Sequence, residues 1–367
     1  MGTDNVIMTA LAASLAAGAL CFASKADVTT TAEPPAFAEP APAGPATATP
    51  FTAPRYFNPY TPPQENPTNP PGTWEIYPSP TSKDLKAVDF VDANNGWANG
   101  AGVMLRYRGG SWSVEPGHDT RDYRDLDMVS LTEGWAVGRE GSTDKWTIWR
   151  WNGSSWNEFQ IVTGAIYCID MIDASHGWIG GKNYFLRFNG TTWEWGGSAR
   201  DTMYDIQMNS DTDGRALGYH YIMRRQGNNW LLEASNNDWN LGSIYMLDNS
   251  EGWAAGQSLN REIGLILKFE SFTWKVYKTY PEVRGIGRFS FVGKDWGWSS
   301  GSSGIILFYD GKDWAKVRSP TSNSLGVTFC WDKNFGWLMG RYGTILKYKA
   351  NTGIKRSSLG TVKAIFH

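Results

Sequence analysis

The stretch "GTWEIYPSPTS" at residues 72–82 decides the fold, because it has the composition of the end of a repeat whose beginning is absent. A closely similar stretch, "KDWAKVRSPTS", occupies residues 312–322. From residue 85 onward a Gly-Trp-x-x-Gly core recurs seven times, with one Trp replaced by Arg. The first glycines of these cores are Gly96, Gly134, Gly177, Gly214, Gly252, Gly297 and Gly336. Spacings of about 40 residues indicate a repeat architecture.

Each unit is rich in short β-type runs. An apolar run precedes each core, as in "LKAVDFVD" (85–92), and another follows it, as in "VMLRY" (103–107). A turn and a Trp then begin a fourth run in units one to six, as in "GGSW" (109–112), and the turn contains Gly or Asn in every one of these units except unit five. Turn residues between β-branched and aromatic runs are typical of strands. About four strands in each of seven units predict an all-β, seven-bladed β-propeller.

The opening stretch closes the predicted ring. Unit seven ends in "TILKYKANTG" (344–353) without the Trp that begins every other fourth strand. We expect "TWEIY" (73–77) to supply this missing strand, so that the N-terminal strand pairs into the last blade. Thirteen of the 20 tryptophans occupy repeat positions, counting Trp74. A Trp buries about 150–250 Å², so we assign these residues to packing between blades. Arg215 replaces the core Trp in unit four.

The segments outside the repeats predict an exported protein. Residues 6–23 form an apolar, uncharged run, so residues 1–26 are predicted to be a signal peptide or an N-terminal membrane anchor. Residues 27–71 hold 13 of the 18 prolines and predict an extended, disordered Pro/Ala/Thr-rich linker. The propeller is assigned to 72–350, and 351–367 form a C-terminal tail of unassigned role. A periplasmic, lumenal or cell-surface location follows.

Composition excludes several classes of function. A net charge of −2 favours neither nucleic acid nor an anionic membrane as a partner, so membrane contact is expected only through the N-terminal segment. Cys168 and Cys330 lie in apolar strand-like runs and are expected to be core residues. The four histidines are scattered, and no nucleophile has a base nearby in a known motif. We therefore predict no catalytic residues, no metal and no cofactor.

Some repeats resemble a known family. "GWAVG" (134–138) followed by "TIWRWNGSSW" (147–156), and "GWLMGRYGTILKY" (336–348), are similar to the repeats of the photosystem II assembly and stability factor family, within the BNR-like propellers. The resemblance covers about 72–350. It implies a seven-bladed, non-enzymatic propeller that binds a protein partner, such as a membrane complex, on the exported side of a membrane. The turns depart from the Asp-box of sialidases, because "WNGSSW" (151–156) lacks its Asp.

Three carboxylates occupy one repeat position. Asp89, Asp127 and Asp170 each stand seven residues before a core glycine, on the strands expected to line the axis. A Ca²⁺ site needs six to eight oxygens, and carboxylates on separate blades are too far apart for this. The favoured interpretation is structural: each accepts a hydrogen bond from a backbone amide of its own or the next blade.

The loop face is the expected place of function. Its connecting segments are long and charged, and Trp239 stands outside the repeat positions in a polar stretch. We predict that Trp239 is an exposed aromatic contact. The basic residues expected around it are Arg121, Arg124, Arg139, Arg200 and Arg261. Two functions remain open: a protein-binding or complex-assembly module, and a carbohydrate-binding cell-surface propeller that stacks rings such as Trp239 on sugars.

Overall fold

The computed structural model describes residues 72–141 and 143–350. The leader (1–26), the linker (27–71) and the tail (351–367) lie outside the described residues, so the predictions for them remain predictions. In the described ranges all regular structure is β-strand, apart from two short 3-10 turns, Ser302–Gly304 and Arg341–Gly343. None of these residues forms a helix with the length and apolarity that a membrane span requires.

The strands form six antiparallel sheets, five of them with four strands each. The last repeat unit contains the N-terminal strand β1 (Gly72–Ile76). The first two units contain β2 (Leu85–Asp92), β3 (Asn95–Gly100), β4 (Val103–Arg108) and β5 (Ser111–Val114), then β6 (Arg121–Ser130), β7 (Glu133–Glu140), β8 (Trp146–Trp151) and β9 (Trp156–Val162).

The sixth sheet has six strands and combines units three and four. Its strands are β10 (Ile166–Met171), β11 (Gly177–Phe188), β12 (Trp193–Ser210), β13 (Asp213–Gly218), β14 (Tyr221–Gln226) and β15 (Asn229–Ser235). The remaining strands are β16 (Trp239–Met246), β17 (Gly252–Ser258), β18 (Ile263–Glu270), β19 (Thr273–Tyr280), β20 (Ile286–Phe291), β21 (Gly297–Gly301), β22 (Ile306–Tyr309), β23 (Trp314–Val317), β24 (Leu325–Asp332), β25 (Phe335–Gly340) and β26 (Ile345–Ala350).

The all-β propeller is confirmed, but the count of seven blades is corrected to six sheets. The difference arises at β12, whose 18 residues continue without a break from the last run of unit three into the first run of unit four. Its first part pairs with β11 and its second part with β13. A continuous strand shared by two units joins their ladders into one sheet, so seven sequence repeats occupy six sheets.

The first strands of the units surround a central axis. In sequence order, β2, β6, β10, β12, β16, β20 and β24 each contact the next, and β24 contacts β2. The predicted closure is confirmed, because β1 pairs antiparallel with β26 from Gly72↔Ala350 to Ile76↔Leu346. This pairing completes the last sheet in the order β1-β26-β25-β24. The ring is therefore closed by hydrogen bonds between segments that are 274 residues apart in the chain.

Tryptophan pairs hold neighbouring units together. The core Trp of one unit meets the fourth-strand Trp of the next edge to face, with centroids 5.2–5.7 Å apart, in Trp135–Trp193, Trp178–Trp230, Trp253–Trp314, Trp298–Trp74 and Trp337–Trp112. Edge-to-face geometry suits the aromatic quadrupole. Of the 13 repeat tryptophans all but the half-buried Trp230 are buried. Cys168 and Cys330 are free, buried members of the same core, as predicted.

Unit four replaces the aromatic pair with an ion pair. Arg215, which is fully buried, donates from Nε and Nη2 to the two carboxylate oxygens of Glu233 at 2.8 and 3.0 Å. The indole N–H of Trp274, in the next unit, donates to the same carboxylate at 2.8 Å. The Arg215 guanidinium also lies 4.6 Å from the ring centroid of Phe269. An Arg in the tryptophan position is tolerated because Glu233 supplies its counter-charge.

Candidate functional site: the upper end of the propeller

The strands define two ends of the sheets. We call the end at which the first strand of each unit begins the upper end, and the opposite end the lower end. Because the strands are antiparallel, the second strand of each unit finishes at the upper end and the third begins there. Gly72 and Ala350, the ends of the described chain, are paired at the lower end.

The predicted axial carboxylates join neighbouring units. The backbone N–H groups of Met128, Met171 and Met208 each donate to a carboxylate of the preceding unit. The acceptors are Asp89 (2.8 Å), Asp127 (2.6 Å) and Asp170 (2.6 Å). In the next unit Gln207 takes the same role towards Met246 (2.6 Å). These side chains therefore repeat one inter-unit contact, as the structural interpretation expected.

Among residues 72–141 and 143–350 no group of three His, Cys, Asp or Glu side chains is placed to hold a metal ion. Burial, together with the neighbouring carboxylates of Asp205 and Asp125, raises the pKa of Asp170 to about 7. The hydrogen bond from the Met208 backbone N–H acts in the opposite direction and lowers this pKa. The buried Asp170 carboxylate therefore binds a proton more readily than an exposed aspartate does.

A second contact between units crosses the axis, nearer the upper end than Asp89, Asp127 and Asp170. Asp125, which is 2% exposed, accepts a hydrogen bond from the Ile169 N–H at 3.1 Å and an ion pair from Arg288 of unit six at 2.9 Å. Asp205 accepts from the Ile244 N–H at 2.8 Å, and burial raises its pKa to about 6 despite the attraction of Arg288. Burial likewise raises the pKa of Asp125. No sequence pattern indicated this pair, because 163 residues separate its members.

Three of the predicted arginines lie together at the upper end. Arg124 donates to Asp122 at 2.9 Å, and Arg139 lies 3.7 Å from the same carboxylate. Lys86 forms a third ion pair with Asp122. Burial and the nearby Arg124 lower the pKa of Lys86. Arg121 turns instead to Glu140 at 3.5 Å and to the Tyr123 hydroxyl at 3.2 Å.

Partly buried aromatic rings continue from this cluster. The rings of Trp146 and Tyr167 have centroids 5.2 Å apart, and Tyr204 lies 5.9 Å from Tyr167. Tyr219 follows at 5.6 Å from Tyr204. The Arg124 guanidinium lies 5.9 Å from both Trp146 and Tyr167, within the range of a cation–π contact. We call Lys86, Asp122, Arg124, Arg139 and these four rings the upper-end patch.

The patch is confined to one side of the axis. Ten residues before the core glycine, units one to four carry a bulky side chain, namely Lys86, Arg124, Tyr167 or Tyr204. At the same position units five to seven carry Gly242, Gly287 and Gly326. A Cβ added to Gly242 or Gly326 would meet no atom within 4 Å. The upper end therefore has open space at this position of units five and seven, whereas at Gly287 an added Cβ would lie 3.0 Å from the carbonyl oxygen of Ser300. Aligning the repeats at this position is the sequence signal that could have revealed the patch.

The prediction for Trp239 is wrong. It begins β16 and is 5% exposed, because its indole packs in a core cluster with residues such as Leu217 and Leu241. Its backbone carbonyl accepts a hydrogen bond from the Nδ1 of His220 at 2.8 Å. A strand beginning inside what looked like a polar loop draws this ring inward, so it cannot stack on a ligand.

The two remaining arginines are separate from the cluster. Arg200 in β12 and Arg261 in the β17–β18 connection are exposed. In the part of the chain that the structure describes, neither makes an ion pair. The predicted ring of five arginines around Trp239 is therefore reduced to Arg121, Arg124 and Arg139, which surround Asp122 and Glu140 instead.

The fold and this patch define a class: a closed β-propeller with a basic, aromatic surface at one end and no recognisable catalytic group among the described residues. Two solved structures resemble it. "YCF48 bound to D1 peptide" matches with a TM-score of 0.61 and 16% identity, covering 78% of this chain and 98% of that one. YCF48 from Cyanidioschyzon merolae matches with a TM-score of 0.61 and 14% identity, covering 75% and 98%.

YCF48 is a photosystem II assembly factor, so the structural neighbours agree with the family resemblance seen in the repeats. At these identities the likeness is one of fold. No protein-family model and no curated protein matches the sequence.

Proposed function

We propose that this protein is a non-catalytic propeller that binds an acidic peptide segment of a protein partner at its upper-end patch. The observation that carries the proposal is the sharing of one carboxylate by three cations. Lys86, Arg124 and Arg139 all pair with Asp122, so this cluster has a net charge of +2 in a chain of net charge −2.

The exposure of these groups supports the same conclusion. The side chains of Lys86, Arg124 and Arg139 are 27%, 32% and 35% exposed, so each is partly accessible to a ligand. A guanidinium that is already held on Asp122 loses little side-chain entropy when it binds a second carboxylate. The adjacent rings offer apolar surface to the rest of a peptide. That a related propeller fold was solved with a D1 peptide supports peptide binding as a use of this architecture.

The carbohydrate-binding alternative depended on Trp239 as an exposed ring. Because that ring is buried, no observation now favours this function over peptide binding.

The test compares two double variants of the full chain. Arg124→Gln/Arg139→Gln removes two cations of the patch, and Arg200→Gln/Arg261→Gln removes the same charge from exposed sites at the same end that lie outside the patch. The probes are fluorescent acidic peptides of about 15 residues and their Glu→Gln counterparts. We expect the first variant to bind the acidic peptides at least about tenfold more weakly, with a shallower salt dependence, and the second to match wild type. Equal loss in both variants would contradict a localised site.

We also propose that the protein is exported and held at a membrane by residues 1–26, with 27–71 as a spacer. Support comes from the apolar run and from the position of Gly72 at the lower end, opposite the patch. Fractionation and mass spectrometry of the native N-terminus test this. A soluble cytoplasmic protein that retains Met1 would contradict it.

A further inference from the structure

The turn between β25 and β26 carries an aromatic residue in an unfavourable conformation. Tyr342 has φ 58° and ψ 31°, in the left-handed region, and Gly343 follows at φ 66°. Glycine is required at 343, because a Cβ there would lie 1.9 Å from the carbonyl oxygen of Thr81. At 342 no such requirement favours a large side chain, and bulky residues seldom adopt this conformation.

The preceding unit contains the same turn without an aromatic ring. Ser303 has φ 56° and ψ 25°, and Gly304 follows at φ 71°. A Cβ on Gly304 would lie 2.1 Å from the carbonyl oxygen of Thr321, the counterpart of Thr81 in the repeated "SPTS" segment. The fold thus builds this turn equally with serine, and the tyrosine ring is not needed for it.

The ring of Tyr342 does not contribute to the core. The residue is 68% exposed, and in the described ranges its ring makes no aromatic contact. Its backbone N–H, by contrast, is held by the Asp84 carboxylate at 2.8 Å, which fixes the turn. A rigid backbone that presents an exposed tyrosine is the arrangement of an interface anchor, because little conformational entropy is lost on binding.

The turn lies at the upper end and is connected to the arginine cluster. Next to Asp84 in sequence, Lys83 donates from Nζ to the Gly102 carbonyl at 2.9 Å. The Gly102 N–H donates to the carbonyl of Arg121 at 2.7 Å. Arg341, beside Tyr342, is exposed as well. The surface from Tyr342 to Arg121 therefore has an exposed aromatic ring at one end and lysine and arginine side chains along it.

We propose that Tyr342 is the specificity-determining aromatic contact of the peptide site: its ring packs on an apolar side chain of the partner peptide whose acidic groups meet the lysines and arginines. This inference rests on the proposed function and identifies the ligand as an acidic peptide that also carries a large apolar residue. Tyr342 replaces Trp239 as the exposed aromatic residue of this face.

The test uses a substitution to a residue that already occupies the equivalent position of another repeat unit. Tyr342→Ser copies Ser303 in the equivalent turn, so it should fold normally. Phe272→Ser is the matched control, because Phe272 is 75% exposed with φ 60° but lies at the lower end, in the turn between β18 and β19. The probes are an array of acidic peptides of about 15 residues, each with Leu at one position, and the same peptides with Asn in place of Leu.

Wild type should bind the Leu peptides about tenfold more tightly than the Asn peptides. Tyr342→Ser should lose that preference while retaining the weaker, salt-sensitive binding, and Phe272→Ser should behave as wild type. If Tyr342→Ser keeps the preference, the inference is overturned and the arginine site stands. If wild type binds no acidic peptide while remaining folded, the proposed function fails together with the inference.

Discussion

The closure of the ring by the N-terminal strand makes a quantitative prediction for Trp74→Ala. The Trp74 side chain is 4% exposed and lies 5.2 Å, centroid to centroid, from both Trp298 of unit six and Tyr348 of its own sheet. Its indole N–H has no hydrogen-bond partner among the described residues, so truncation leaves no acceptor unsatisfied. The cost is therefore loss of packing.

The expected loss is about 3–5 kcal/mol in the free energy of unfolding, the usual range for a buried Trp or Phe cut back to Ala. Burial of about 150–250 Å² at about 25 cal/mol per Å² gives about 4–6 kcal/mol, which agrees. The ring packs closely against the backbone of Gly336, because a Cβ added there would lie 3.1 Å from the Cη2 atom of Trp74. Most of the lost packing energy should therefore appear in the measurement.

The assay is urea unfolding of the full chain, followed by tryptophan fluorescence and far-ultraviolet circular dichroism. The matched control is Ile76→Ala on the same strand, because Ile76 is 66% exposed and should change the free energy by no more than about 0.5 kcal/mol. If Trp74→Ala cost less than about 1 kcal/mol, or no more than Ile76→Ala, β1 would not close the ring. A lower m-value in Trp74→Ala alone would indicate that the closing strand has already detached in the native state.

Three further predictions concern buried charge. Arg215→Trp restores the repeat residue but should destabilise the chain by about 3 kcal/mol, because Glu233 loses two hydrogen bonds; a rise in the melting temperature would refute this. Arg288→Gln should cost about 3–5 kcal/mol by leaving Asp125 without its counter-charge, and adding Asp125→Asn should recover at least half, which a double-mutant cycle in urea measures. For Asp170, whose pKa is raised to about 7, the stabilising contribution present at low pH is lost as pH rises through 7. Asp170→Asn should therefore gain stability relative to wild type between about pH 4 and pH 7, and a difference independent of pH would show an ordinary pKa.

The features that the sequence predicted correctly are those that recur in every repeat unit. The propeller, the closing strand at Trp74, and the burial of the repeat tryptophans follow from spacing and from residue type, since each is specified once per unit. The predicted number of sheets was wrong because the glycines within residues 193–210 are typical of a turn between two units. The backbone of this segment instead stays extended through both units.

The site was less predictable because it depends on single positions. Arg121, Arg124 and Arg139 were selected as loop charges, but the contacts of Arg124 and Arg139 with Asp122, and of Arg121 with Glu140, depend on β6 and β7 being paired in one register. The predicted exposure of Trp239 was wrong because the burial of a ring at the start of a strand depends on packing against the neighbouring sheet. Tyr342 was missed because a Tyr beside a Gly in a turn gives no sign of its exposure or its positive φ.

By itself the sequence determined the repeat, the strand content and the way in which the ring closes, because periodic hydrophobic and turn residues act locally and identically in every unit. Only the tertiary structure decided which charges meet. Asp125 and Arg288 pair across the axis from units two and six, and Tyr342 reaches the surface of unit one through Asp84. Such contacts join residues that are distant in the chain, and their distances are fixed only when the sheets close around the axis.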